Sequence, residues 1–132
     1  MLKFLSFGSG SSGNCYLLYT GIDCLMIDCG VGIRSLKKHF HNYGLQLSMV
    51  HNVLITHDHA DHVKSVGSIS GDLHLPVYTT EDIHRGISRN WCVRRKIDSQ
   101  LAKNLVKGKE IMIGAFRVTP FGVPHDSTDC VG

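Results

Sequence analysis

Five of the six residues in His57-Asp58-His59-Ala60-Asp61-His62 are types that bind metal ions, and a short, largely apolar run, Val53 to Thr56, leads straight into them. That run suits a strand buried on both faces. At the period of two carried over from the strand, His57 and His59 point the same way and can hold one ion, at about 2.0–2.1 Å if it is zinc. Asp61 and His62, on the turn that follows, can face a second ion. Asp58 lies between the ligands on the opposite side, facing solvent or supporting the site from behind.

A tetrahedral zinc site needs a third protein ligand, and a catalytic one keeps the fourth position for water. His125, which follows the last hairpin in a Pro-His-Asp context, is the candidate. The other five histidines, His39, His41, His51, His74 and His84, have no ligand types at suitable spacing and read as surface or core residues.

The rest of the chain alternates strand and helix patterns. Leu2–Phe7, Cys15–Tyr19 and Cys24–Ile27 read as a β-meander with turns at Gly8–Gly13 and Thr20–Asp23. Ile33, Leu36, Phe40 and Tyr43 recur at helical spacing, and Gly44 stands where a C-terminal cap belongs. Beyond the histidine run, a helix over Val63–Ile69, a strand over Leu75–Thr79 and a helix over Glu81–Arg89 are expected, the last with Thr79 and Asp82 at capping-box spacing. Trp91–Leu105 reads as irregular and basic, and Glu110–Phe121 as a hairpin turning at Gly114.

With 42% hydrophobic and 19% charged residues, the chain is neither disordered nor fibrous. No apolar run approaches the roughly 20 residues of a membrane span, and the start lacks a secretory pattern. Five cysteines without a Cys-x-x-Cys pair suggest reduced thiols and a cytoplasmic location. Charge is uneven: Arg85–Lys109 carries +7, leaving −4 on the remainder. Such a basic segment favours a phosphate-rich partner, although charge runs are commonly just solvated faces. Within it, Arg94, Arg95, Lys96 and Trp91 could follow a nucleic-acid backbone by charge and stacking.

Gly8-Ser9-Gly10-Ser11-Ser12-Gly13 matches the dinucleotide pattern G-x-G-x-x-G, but strand formers over Cys15–Ile27 leave no room for the helix that must begin at such a loop. A turn that offers amides and hydroxyls to an anionic substrate, through Ser9, Ser11, Ser12 and Asn14, is the functional alternative.

Thr56-His-Asp-His-Ala-Asp-His62 resembles the His-x-His-x-Asp-His signature of the metallo-β-lactamase-fold hydrolases. The resemblance implies the α+β class, as an αββα sandwich with metals at one edge, residues 1–132 forming the N-terminal part of a single domain with one mixed sheet and flanking helices. It implies that His57, His59 and His125 hold the first divalent ion, and that Asp61 and His62 hold the second and carry the catalytic chemistry. Asp28, in Leu-Met-Ile-Asp-Cys-Gly, matches the aspartate that steadies such a site by hydrogen bonds. The opening Phe-Gly-Ser-Gly-Ser-Ser-Gly-Asn and the close Pro-His-Asp-Ser-Thr-Asp-Cys-Val-Gly resemble the branch of bacterial cytoplasmic double-stranded DNA exonucleases. That family's bridging aspartate and final histidine have no counterpart in these residues, so one well-held ion and an impaired second position are expected.

These readings imply a metal-dependent phosphodiesterase acting on DNA through hydroxide activated by two zinc or manganese ions. The alternatives are a hydrolase of small esters, thioesters or lactones on the same ligands, and a catalytically impaired metal-binding fragment, pairing as a homodimer through exposed sheet edges.

Overall fold

Strand pairing divides the sheet into an antiparallel half and a parallel half. The computed structural model describes residues 2–10 and 13–122. Strands β1 (Lys3–Gly8), β2 (Cys15–Tyr19) and β3 (Cys24–Ile27) form the antiparallel meander. Strands β4 (Asn52–Leu54), β5 (Val77–Thr80) and β6 (Ala102–Leu105) then add in parallel, giving one six-stranded sheet in the order β1-β2-β3-β4-β5-β6. A hairpin, β7 (Ile111–Ile113) and β8 (Phe116–Val118), turns at Gly114, whose φ of +58° favours glycine.

Helices α1 (Ile33–Asn42), α2 (Ala60–Val63), α3 (Val66–Leu73) and α4 (Glu81–Arg89) connect the strands. One face of the sheet presents Leu17, Met26, Val53 and Val77, all fully buried, to Leu36, Phe40, Ile69, Ile83 and Ile87. Register explains the continuity of this stripe, because Met26 pairs with Val53 and Val53 with Val77 across adjacent strands. The opposite face, with Leu18, Leu25, Ile27, Leu54 and Tyr78, packs on Ile113 and Phe116 of the hairpin. This is the mixed sheet with flanking helices that the sequence implied.

Helix α1 ends as its pattern predicts. Gly44 takes φ +71°, its N–H reaches the His41 carbonyl, and the Leu45 N–H reaches that of Phe40, which closes a Schellman motif.

Elsewhere tertiary contacts redraw the expected elements. The helix expected over Val63–Ile69 breaks between α2 and α3, since the Ser65 hydroxyl bonds the carbonyls of Cys29 and Val31. Helix α4 is capped by Thr80, which accepts from the Ile83 N–H, and not by Thr79, whose buried hydroxyl donates to the Ile55 carbonyl. Within the segment read as irregular, Ala102–Leu105 becomes the edge strand β6.

At the sheet end away from the histidine run, Asp23 joins three segments. Its carboxylate accepts from the Ala115 N–H in the hairpin turn, from the Cys24 N–H, and from the His51 ring at 2.8 Å. Burial raises the Asp23 pKa, but these hydrogen bonds and the His51 charge outweigh it and hold the carboxyl below its usual value. A group depressed in the folded state stabilises above its unfolded pKa and loses that contribution as pH falls through the folded one. Asp23→Asn is therefore expected to lower stability by about 1.5 kcal/mol near neutrality. Thermal midpoints of parent and variant, followed by circular dichroism, should converge as pH drops below about 4.

Candidate metal centre

Parallel strands carry their functional residues to one place, because β3 and β4 run side by side and both end at the same rim. Asp28 leaves β3, and Thr56 and His57 follow β4. The Asp28 backbone adopts φ +65°, rare outside glycine, and its N–H is held by the Leu54 carbonyl at 2.8 Å.

The buried Asp28 carboxylate collects three donors. Oδ1 accepts from the Thr56 N–H at 2.8 Å, while Oδ2 accepts from the Thr56 hydroxyl and from His62 Nδ1, each at 2.7 Å. An ionised carboxylate only accepts, so the single Thr56 hydroxyl proton points to Asp28 and its oxygen accepts from His57 Nδ1, 2.8 Å away. Both rings thus carry their proton on Nδ1, and both present the Nε2 lone pair that a metal ion needs. One acid sets two tautomers, one directly and one through Thr56.

The two rings lie together, with centroids 4.3 Å apart, and ligand atoms of Asp28, His57 and His62 all fall within 4.8 Å of one another. His59 begins α2, its ring centroid 6.3 Å from that of His57. The Asp61 carboxylate, partly exposed, approaches His62 Nε2 to 3.9 Å. Burial disfavours the His62 imidazolium, but its bond to Asp28 and the charges of Asp28 and Asp61 prevail, so its pKa lies above the usual histidine value.

Imidazole nitrogens with oriented lone pairs beside carboxylates suit a divalent cation such as zinc, and the residues fit the implied metal. Asp28, with three of its lone-pair sites engaged, supports the ligands. The neighbouring thiols are unsuited to ligation: burial, with a smaller push from Asp28, raises Cys15 to about 12, and burial also raises Cys29 well above the usual thiol value.

Backbone contacts lock the surrounding loops. The Asn14 N–H bonds the Asp61 carbonyl at 2.7 Å, the Gly30 N–H bonds that of Asn14, and the Cys29 N–H bonds that of His62. Gly30 permits this approach, since a Cβ there would sit 1.8 Å from the Asp61 oxygen.

The other sequence-derived candidates fall in different settings. Asp58 turns away from the rings, its carboxylate lying against Gly86 of α4 and its carbonyl accepting from the Asn90 side chain at 3.0 Å. Asn14 is buried beside Asp61 and His62, and Ser9 is exposed on its loop. Arg94 is exposed, whereas Arg95 pairs with Asp72 of α3 at 2.5 Å and the Lys96 ammonium donates to the Asn90 carbonyl at 2.7 Å. Ser11, Ser12 and His125 lie outside the described residues. Of the five scattered histidines, none joins a metal-ligand cluster among the described residues. Sequence reasoning passed over Thr56 and Gly30; the position of Thr56, directly before the first ligand, was the available signal.

Removing the Thr56 hydroxyl with Thr56→Val should lower zinc affinity about tenfold, as loss of a ligand's hydrogen-bond partner does, while Thr56→Ser restores it; competition with a chromophoric chelator measures both. Gly30→Ala should destabilise the chain by about 1–3 kcal/mol, read from urea unfolding, because the added methyl must displace the Asp61 backbone.

Comparison with known proteins agrees with this geometry. A family profile described as "Beta-lactamase superfamily domain" matches residues 24–132. The chain is 29% identical over 134 residues to a Bacillus anthracis protein named "Exodeoxyribonuclease YycJ", covering 97% of this chain and 47% of that one. It is 27% identical over 125 residues to "Exodeoxyribonuclease WalJ" of Streptococcus pneumoniae, covering 95% and 46%. The chain thus spans about half the length of the curated relatives it matches. Among solved structures, it superposes on the Rm3 metallo-β-lactamase with TM-score 0.77 at 13% identity, covering 97% of this chain and 51% of that one. The subclass B3 enzyme BJP-1 of Bradyrhizobium japonicum gives 0.71 at 16% identity, with 89% and 48% covered. With its fold, its histidine-aspartate rim and its profile match in agreement, the chain belongs to the β-lactamase superfamily and has the metallo-β-lactamase fold.

Proposed function

We propose that this chain is the N-terminal part of a single-domain, metal-dependent phosphodiesterase that degrades DNA in the cytoplasm. The observation that carries the hydrolase reading is the Asp28–Thr56–His57 and Asp28–His62 network, which holds two imidazoles with their Nε2 lone pairs ready for a cation. In this reading His57, His59 and His125 hold one ion, and Asp61 and His62 face a second. Bound zinc or manganese ions would supply an activated water and neutralise charge at the phosphorus during in-line displacement.

Placement of the basic segment favours a nucleic acid over a small ester. Asn90 binds the Asp58 carbonyl and so ties the start of that segment to the ligand loop, and the next residue, Trp91, is 85% exposed. Arg94 follows, also exposed, and a cleft of about 350 Å³ lined by Asp58, Asp82, Arg85, Gly86 and Arg89 opens alongside. Trp91 can stack on a base while Arg94 and Arg89 meet phosphates. Arg95 and Lys96, engaged with Asp72 and with backbone carbonyls, brace this loop against α3 and α4. Reduced thiols at Cys15, Cys24, Cys29 and Cys92 suit a cytoplasmic setting, and among the described residues no helix is long and apolar enough to cross a membrane.

The test is cleavage of labelled double-stranded DNA in the presence of zinc or manganese, at two salt concentrations. Cleavage should fall steeply with salt and should disappear with His59→Ala or with a chelator. Turnover of a thioester or lactone without DNA cleavage would replace this reading with a small-ester hydrolase. Tight metal binding with neither activity would leave a metal-binding fragment.

A further inference from the structure

Asn14 is 7% exposed, and its carboxamide stands between the glycine-rich loop and the ligand turn. Its Oδ1 accepts from the Gly10 N–H at 3.1 Å and from the Tyr16 hydroxyl at 3.3 Å, which uses both lone pairs. Its Nδ2 faces four acceptors: the Gly10 carbonyl at 2.9 Å, the Asp61 carbonyl at 3.1 Å, Asp61 Oδ2 at 3.3 Å and His62 Nε2 at 3.4 Å. An amide nitrogen has two protons, so two of the four acceptors go short at any moment. Two of the four are ligand atoms. If a cation takes Asp61 Oδ2 and His62 Nε2, the two protons match the two remaining carbonyls, one in each loop.

We infer that Asn14 is a positioning residue that aligns Asp61 and His62 for metal binding and transmits occupancy of that pair to the Gly10 backbone. This rests on the metal-binding reading above, and it moves Asn14 from direct substrate contact to support of the ligands, because its polar atoms are already committed within the protein. With a cation bound, its protons settle on the Gly10 and Asp61 carbonyls and Gly10 is held more firmly to the ligand turn. Without one, they are shared with the ligand atoms and Gly10 is held less firmly. Gly10 is thereby coupled to the state of the centre, through one side chain.

The experiment measures two quantities on the 132-residue chain: zinc affinity by chelator competition, and hydrogen exchange of the Gly10 amide, which Asn14 Oδ1 accepts directly. In the parent, saturating zinc should slow Gly10 exchange several-fold. Asn14→Ala should weaken zinc binding about tenfold and abolish the response of Gly10. Tyr16→Phe removes only the hydroxyl that steadies Oδ1, leaves the core intact, and should shift both readouts about twofold in the same direction. Unchanged zinc affinity in Asn14→Ala, or parental Gly10 exchange indifferent to zinc, overturns the inference while leaving the metal site standing. Should Asn14→Ala fail to fold, Tyr16→Phe decides, and parental values in both readouts overturn it. A parent that binds no zinc removes the metal reading and this inference with it.

Discussion

A single buried carboxylate organises the rim of this protein. Asp28 joins the end of β3 to the end of β4 through the Thr56 amide and hydroxyl, and joins both to α2 through His62. Without it, two strand ends and a helix start would meet with unpaired polar groups in a half-buried setting, which is costly. The acid sits at an uncommon left-handed backbone angle, and its own N–H is bound by the neighbouring strand. Local strain is thus held by sheet pairing, and the side chain is aimed where the ligands need a partner. The orientation of the His57 and His62 rings in turn follows from these hydrogen bonds, the kind of support that fixes side chains for a site.

Around this carboxylate the backbone is laced unusually closely. Gly30, Asn14 and the Asp61–His62 turn approach within hydrogen-bonding distance, which only a residue without a Cβ allows at position 30. On the other side, Asp58 and Asn90 connect the ligand turn to α4 and to the basic loop. The centre therefore sits between a glycine-rich loop and a cationic one, each tied to it by a side-chain amide. Such an arrangement lets loops vary in chemistry while the ligands stay rigid.

Much of this was legible in the sequence, and the reasons differ by element. The meander, α1 with its Gly44 cap, α4 and the hairpin at Gly114 each follow from local pattern and turn chemistry, and each formed where expected. The His57–His62 run stood out because its residue types and spacing have few uses other than metal binding. Elements governed by distant contacts were not. The break at Ser65 depends on carbonyls of Cys29 and Val31, more than thirty residues earlier. The choice of Thr80 over Thr79 as helix cap depends on which hydroxyl the sheet buries, and β6 forms because β5 leaves an open parallel edge for it. Basic residues that look alike in the sequence also differ in their partners: Arg94 and Arg95 are both exposed, and Arg95 forms a surface ion pair with Asp72.

Taken alone, the sequence displayed the run of metal-binding residue types and the strand that leads into it, since these rest on side-chain chemistry and on a period of two residues, and the α+β class followed from the resemblance that run carries. Tertiary structure decided which nitrogen of His57 bonds Thr56, which nitrogen of His62 bonds Asp28, and which donors gather on the Asp28 carboxylate. It also decided which cations are committed to ion pairs and which loop touches the ligands. Those outcomes depend on hydrogen bonds between residues such as Asp28 and His62, thirty-four positions apart, and only the folded sheet brings such pairs within 3 Å.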